Sequence, residues 1–225
     1  MFKRTLTLIL ISVSLFPMKS FSQSNDRKNR IAISMGANTN DAYDIAFSYH
    51  FMLHPFLGIG VGIGFYNQWY SDYSPSGSAN SGKWENWRIE DSETEIERFF
   101  LNPSVILQTP NIVNKEKLKM SFLIEPGLQL FCPYAGVHVD YFDVHSQQNK
   151  HSYVSTWGGA WCFWSVKAAF NFQFHQTSIA IGYGLSDADI YSSRRNLKVG
   201  ATSFSDFYPE KDITHSLFAN LSYCF

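Results

Sequence analysis

Eight stretches of this chain alternate, residue by residue, between an apolar side chain and a small or polar one. That period of two marks a strand with two unlike faces, and a helix does not reproduce it. The stretches are Arg30 to Asn38, Ala42 to Leu53, Leu57 to Tyr70, Glu95 to Thr109, Leu118 to Cys132, Trp161 to His175, Ser178 to Asp187 and Ile213 to Phe225. In the third, the apolar set is Leu57, Ile59, Val61, Ile63 and Phe65; in the sixth it is Trp164, Val166, Ala168, Phe170, Phe172 and Phe174. The apolar faces from the third stretch onward carry no charge. Opposite them stand Gly58, Gly60, Gly62 and Gly64, then Arg98, Asn102, Ser104 and Gln108, then Ser121, Glu125 and Gln129, then Ser165, Lys167, Asn171 and Gln173.

Two closed sheets are compatible with such faces. A soluble barrel of the lipocalin kind would turn the apolar set inward. Its outer surface would then be Gly, Ala, Ser and Asn with very few charges, which is a poor solvent surface. A membrane barrel turns the uncharged set to lipid, where a Lys or Arg near the midplane costs about 2–4 kcal/mol. Only 16% of the residues are charged and 17% are aromatic, against about 25% charged in an ordinary soluble domain. The sequence therefore predicts an all-β fold, an eight-stranded antiparallel up-and-down transmembrane β-barrel. The net charge of −1 and the lack of a basic block predict no nucleic-acid partner.

The connections support this. His54-Pro55, the segment 111–117 and the segment 175–177 are short, whereas 71–94, 133–159 and 188–212 are long and rich in Ser, Gly, Asn, Tyr and charge. Only the turn at Asn40-Asp41 is tight among those on the long-loop side. With both termini periplasmic, the short turns fall on the periplasmic side and the long loops outside. The N-terminus fits that compartment. Lys3 and Arg4 precede an apolar run from Leu6 to Phe16, Pro17 breaks it, and Ser20-Phe21-Ser22 places small residues two apart before Gln23. At about a dozen residues the run is short of the roughly 20 that span a bilayer, so it reads as a signal peptide cut after Ser22. The predicted organisation is a signal peptide over 1–22, a short lead over 23–29 and a barrel domain over 30–225.

The last strand carries a resemblance. Leu217, Ala219, Leu221, Tyr223 and Phe225 stand at every second position and end on the terminal Phe, which is similar to the terminal strand of outer-membrane barrels. The resemblance implies residence in the outer membrane, contact with outer-membrane lipid and recognition of this strand by the barrel-assembly machinery. The whole pattern resembles small barrels of the OmpA and OmpX kind, and the composition resembles the Bacteroidota-type outer-membrane β-barrel family.

Candidate sites follow from the parity of each residue. Glu125 and Lys167 lie on lumen faces of neighbouring strands, and Arg98, Asp44 and His50 share that interior. An eight-stranded barrel is just wide enough to be filled by side chains, so charges there are expected to pair into a structural polar network, with a gated pore or proton path as the alternative. His138, Asp140, Asp143 and His145 are all metal-ligand types, but the first two fall on one strand face and the last two on the other, so no metal site and no cofactor are predicted. The alternating glycines lack the helix that a phosphate loop needs and read as room for Phe100 and Phe131. His215 and Ser216 point to opposite faces, leaving no nucleophile–base pair and no catalytic residues. In the long loops Trp84, Trp87, Arg194 and Arg195 are candidate contacts for an extracellular ligand of unknown nature, or they pack the loops onto the rim.

Three cysteines leave at least one unpaired. If Glu125 opposes Lys167, Cys132 faces Ala160, and a Cys132–Cys162 bridge needs a slip in register; free, partly buried thiols are the expectation. The function expected is that of a non-enzymatic outer-membrane barrel with a structural or surface-recognition role. An outer-leaflet lipid-modifying enzyme, similar to lipid A deacylases and acyltransferases, and a narrow porin-like channel for small solutes are the alternatives.

Overall fold

The computed structural model describes residues 28–69, 71, 73–78, 84–90, 93–200 and 202–225, the side chains of residues 84 and 85 excepted. The proposed signal peptide and most of the lead lie outside them. In chain order the strands are β1 (Asn29–Asn38), β2 (Ala42–His54), β3 (Leu57–Gln68), β4 (Ser76–Gly77), β5 (Trp84–Ile89), β6 (Glu97–Gln108), β7 (Val113–Asn114), β8 (Lys119–Phe131), β9 (Tyr134–Asp143), β10 (Gln148–Trp157), β11 (Cys162–Phe174) and β12 (Thr177–Ser186). A single helical turn α1 (Ser192–Arg195) and the small hairpin β13 (Lys198–Val199) and β14 (Thr202–Ser203) precede β15 (Thr214–Cys224).

Eight of these strands, β1, β2, β3, β6, β8, β11, β12 and β15, form a closed antiparallel barrel, each paired with its neighbour in sequence order. Closure comes from β1 against β15, running from Arg30 opposite Cys224 to Asn38 opposite Ser216. Every barrel strand begins and ends within two residues of its expected bounds. The alternation fixes these limits, because a strand stops where one face no longer has a distinct environment. Among the described residues no helix is long and apolar enough to cross a membrane.

The outer face is an apolar belt. Met35, Ile63, Phe99, Leu101, Ile181, Leu217 and Leu221 are each at least half exposed. A continuous surface of this kind is stable against hydrocarbon, not water. Aromatic rings gather towards both rims. Tyr43 stacks on Trp69 at one end and Tyr223 on Phe225 at the other, as the interfacial girdles of such barrels do.

Inside, the glycine row of β3 makes space. A Cβ on Gly64 would lie 2.5 Å from the Phe100 ring, and one on Gly60 would collide with the Tyr49 carbonyl and the His50 ring. The β2–β3 ladder shifts register once, between Met52 and His54, and the β6–β8 seam is interrupted twice. Partners run from Phe100–Phe131 to Gln108–Leu123 with gaps around Pro103 and Pro126, since proline has no N–H to give.

The long loops are not irregular. The segment expected as a loop over 133–159 is a hairpin of two ten-residue strands, β9 against β10, and β5 and β4 from the preceding loop join it in a four-stranded sheet ordered β10-β9-β5-β4.

Candidate functional site: the lumen and the loop cap

The structure places all five predicted lumen residues inside the barrel, and its centre is a three-residue contact. Ser104 Oγ donates to Glu125 Oε1 at 2.9 Å, His50 Nε2 lies 2.9 Å from the same hydroxyl, and His50 Nε2 is 3.5 Å from Glu125 Oε1. With the serine proton committed to Glu125, His50 Nε2 must be the donor to Ser104. The acid at the middle of the barrel is thus held by a hydroxyl and an imidazole. Ser104 is the member of this contact that sequence reasoning did not single out. A neutral serine carries no charge signal, and only the β6 register sets it between the two.

Lys167 stands directly opposite Glu125 in the β8–β11 register, but the expected ion pair does not close. Its Nζ lies 5.4 Å from the centroid of the Phe218 ring instead, a cation–π contact that holds the ammonium without a carboxylate. Opposing Cα positions set backbone spacing only; the long side chain goes where the lumen has an acceptor surface. Asp44 is buried opposite Gly36, where a Cβ would clash with its carboxylate.

Arg98 sits high in the barrel. Nη2 donates to the Cys132 carbonyl at 2.9 Å, Nη1 to the Ile190 carbonyl at 3.4 Å, and the guanidinium covers the Phe131 ring at 5.2 Å. Above it the last loop enters the mouth. Ala188, Ile190 and Tyr191 are fully buried, Tyr191 Oη donates to the Asn40 carbonyl and accepts from Gln68 Nε2, and Asn40 Nδ2 reaches Thr214 Oγ1 at 2.9 Å. Side chains from the loop and the strands therefore close the long-loop end of the barrel.

The four loop residues have specific places. Trp87 is 1% exposed and lies flat on Phe204, ring centroids 5.6 Å apart and planes 5° apart. Arg194 donates to the carbonyls of Glu93 and Glu95, tying the last loop to the second. Arg195 chelates Asp189 and donates to the Pro209 carbonyl. These three groups tie the loops to one another; the side chain of Trp84 lies outside the described residues. Trp87, Ile89, Val137, Val139, Leu197 and Phe204 form one apolar cluster that continues into Tyr66, Phe100 and Phe131 of the barrel. A Trp87→Ala chain is expected to lose about 3–5 kcal/mol from this cap. Hydrogen exchange of the β5 and β9 amides should accelerate while the barrel amides stay protected, and unchanged β9 exchange would contradict the assignment.

The opposite face of the cap sheet looks outward. Trp157, 75% exposed, packs on Tyr134 with centroids 5.0 Å apart; Tyr134 and Tyr153 share a 2.7 Å hydroxyl contact, and Tyr153 lies against the His138 ring. The four residues of metal-ligand type part company here. His138 Nδ1 meets Glu93 at 2.6 Å. Asp143 turns inward to Lys150 Nζ at 2.5 Å and to the amides of His145 and Ser146, which hold its carboxyl well below the usual range. Asp140 joins His151 and Glu90, whose ligand-type atoms lie within 4.8 Å of one another, with Arg88 alongside.

The Glu93 carboxylate on Nδ1 raises the His138 pKa. A raised value means the contact contributes fully below the ordinary value of about 6.5 and is lost as pH rises through the folded-state value. An NMR titration of His138 should show this upward displacement, and Glu93→Gln should lower the midpoint; an unmoved midpoint in Glu93→Gln would contradict it.

All five terminal-strand positions face outward, with Phe225 half exposed and its N–H and carbonyl paired with Asn29. None of the three cysteines forms a disulfide. Leu130 opposes Cys162, so Cys132 is offset by two residues and the register holds the thiols apart. Cys132 and Cys162 are exposed, where the sequence predicts partial burial, because Cys132 lies just past the end of β8 and Cys162 is the first, outward-facing residue of β11, both at the rim. Thiol counting on the unfolded, unreduced protein is expected to give three; a count of one would place a bridge.

No protein-family model matches the sequence, and no curated protein matches it. Among solved structures the chain is similar to Neisserial surface protein A (9% identity, 88% of this chain and 94% of that one, TM-score 0.40). It is likewise similar to the N-terminal β-barrel domain of Pseudomonas aeruginosa OprF (9%, 88% and 98%, 0.42) and to a major outer membrane protein from Thermus thermophilus (10%, 88% and 99%, 0.44).

Proposed function

We propose that this chain is a non-enzymatic outer-membrane barrel protein, exported with loss of residues 1–22 and assembled through its terminal strand, that recognises a partner outside the cell. The observation carrying the reading is the outward face of the cap sheet, where Tyr134, Trp157, Tyr153, His138, Asp140 and His151 stand in cross-strand register on a rigid, core-backed platform. Exposed aromatics beside charged groups are the composition of binding hot spots, and a packed core beneath them lowers the ordering cost of binding. The closed extracellular mouth favours this role over a channel.

The test is binding of the purified mature chain to an array of surface polysaccharides and matrix proteins, alongside a Tyr153→Ala, Trp157→Ala double variant. The variant should keep its heat-modifiable folded form and weaken any binding by at least about 2 kcal/mol. Binding that the variant retains in full would sink the platform. Lipid A whose mass spectrum changes with the gene would replace this reading with the enzyme.

A further inference from the structure

The periplasmic end of the barrel holds a second feature that the recognition role leaves unused. A cavity of about 190 Å³ opens there, lined by Lys28, Arg30, His54, Gln108, Gln173 and Cys224 together with apolar side chains. A single water needs on the order of 10–15 Å³ of such space, so the cavity has room for a hydrated polyatomic ion.

Its electrostatics are one-sided. Arg30 is 4% exposed, yet its guanidinium makes no ion pair among the described residues, and Nε is buried with no hydrogen-bond partner. No Asp or Glu lines the cavity. The deeper carboxylate, Glu125, accepts from Ser104, lies beside His50 and makes no ion pair with Arg30, and the Phe225 backbone oxygen accepts the Asn29 amide. Lys119 stands at a lumen position opposite Gln173, and Lys115 and Lys117 lie in the adjoining turn with Glu116 as the acid among them. A buried charge without a partner is costly unless an ion of the opposite sign joins it. Gln108 and Gln173 each give one amide N–H to the protein, to Ser121 Oγ and to the His175 carbonyl, and each keeps a second, and the guanidinium fork suits a planar or tetrahedral oxyanion.

We propose that this mouth is a binding site for a phosphate-class oxyanion, with Arg30 as its principal donor, Lys28 at its entrance and the glutamine amides at its sides. Free inorganic phosphate and the phosphodiester of an inner-leaflet lipid offer the same chemistry.

Cys224 lines the cavity and reports on it. In a Cys132→Ser, Cys162→Ser mature chain folded in phosphate-free detergent, Cys224 is the sole thiol, and its labelling rate is measured with anionic and cationic methanethiosulfonates. The anionic reagent should react about tenfold faster, as focused cationic fields allow. Inorganic phosphate should suppress that reaction more than sodium chloride of equal ionic strength does. Arg30→Gln should abolish both the preference and the protection, and Arg30→Lys should restore part of the preference. If Arg30→Gln does not fold, a phosphate-dependent rise in the melting temperature of the parent, absent with chloride, carries the same decision. Protection in phosphatidylglycerol vesicles without added phosphate assigns the site to lipid; protection by phosphate alone assigns it to the free ion. Equal anionic and cationic rates, or protection by chloride as good as by phosphate, overturn the proposal.

Discussion

A Phe225→Asp chain is expected to be exported and then to accumulate as urea-extractable periplasmic aggregate, with the heat-modifiable folded species lost. Two independent consequences of the same ring lead there. Phe225 is the last member of the outward row Leu217, Ala219, Leu221, Tyr223 and Phe225, so a carboxylate there enters the lipid interface. Its backbone also closes the barrel against Asn29, with hydrogen bonds of 2.9 and 3.0 Å, so an end that cannot dock leaves β1 with an open edge. Under the proposed assembly route the terminal strand is moreover the element read first. Deletion of Phe225 should behave like the aspartate. A Phe225→Asp protein that folds at the surface with normal yield would contradict the assembly role of the ring.

The second large effect is expected at Glu125. Glu125→Leu removes the acceptor of Ser104 and the carboxylate beside His50 together, leaving Arg30 and Lys167 in a lumen that retains Asp44. Breaking a buried pair from one side costs about 3–5 kcal/mol, and a urea titration of the refolded barrel should show it as a lowered midpoint with little change in slope. Lys167→Met should cost much less, because Lys167 rests on Phe218 rather than on a carboxylate. Equal losses for the two variants would mean that the cross-strand pair holds the lumen and that the Glu125–Ser104–His50 contact does not.

How much of this was legible in the sequence follows from how each feature is encoded. Strand positions such as Leu57–Gln68 could be read because each residue must suit either lipid or a crowded lumen, and a slip by one inverts the whole set. The glycine row opposite Ile59 to Phe65 was legible for the same reason, as was the expectation that Asp44, His50, Arg98, Glu125 and Lys167 face inward. The β9–β10 hairpin was not. It stands outside the apolar belt, where the polar side of a strand is as soluble as a loop, and β10 reads as Gln, Asn, Lys, His, Ser and Thr with few apolar residues. Arg30 was placed at the start of a strand, but its want of a partner depends on where Glu125 goes, which no local pattern carries.

By itself, then, the sequence determined the closed barrel, its strand limits and which side chains face in, because alternation between two incompatible environments is local and repeated. The tertiary structure alone decided which side chains meet. Lys167 turned to Phe218, Glu125 to Ser104 and His50, Trp87 to Phe204 and Asp140 to His151 and Glu90. Those choices depend on inter-strand register, side-chain reach and loop packing between residues far apart in the chain. A composition shared by both faces of a loop, or by every polar position in a lumen, does not specify them.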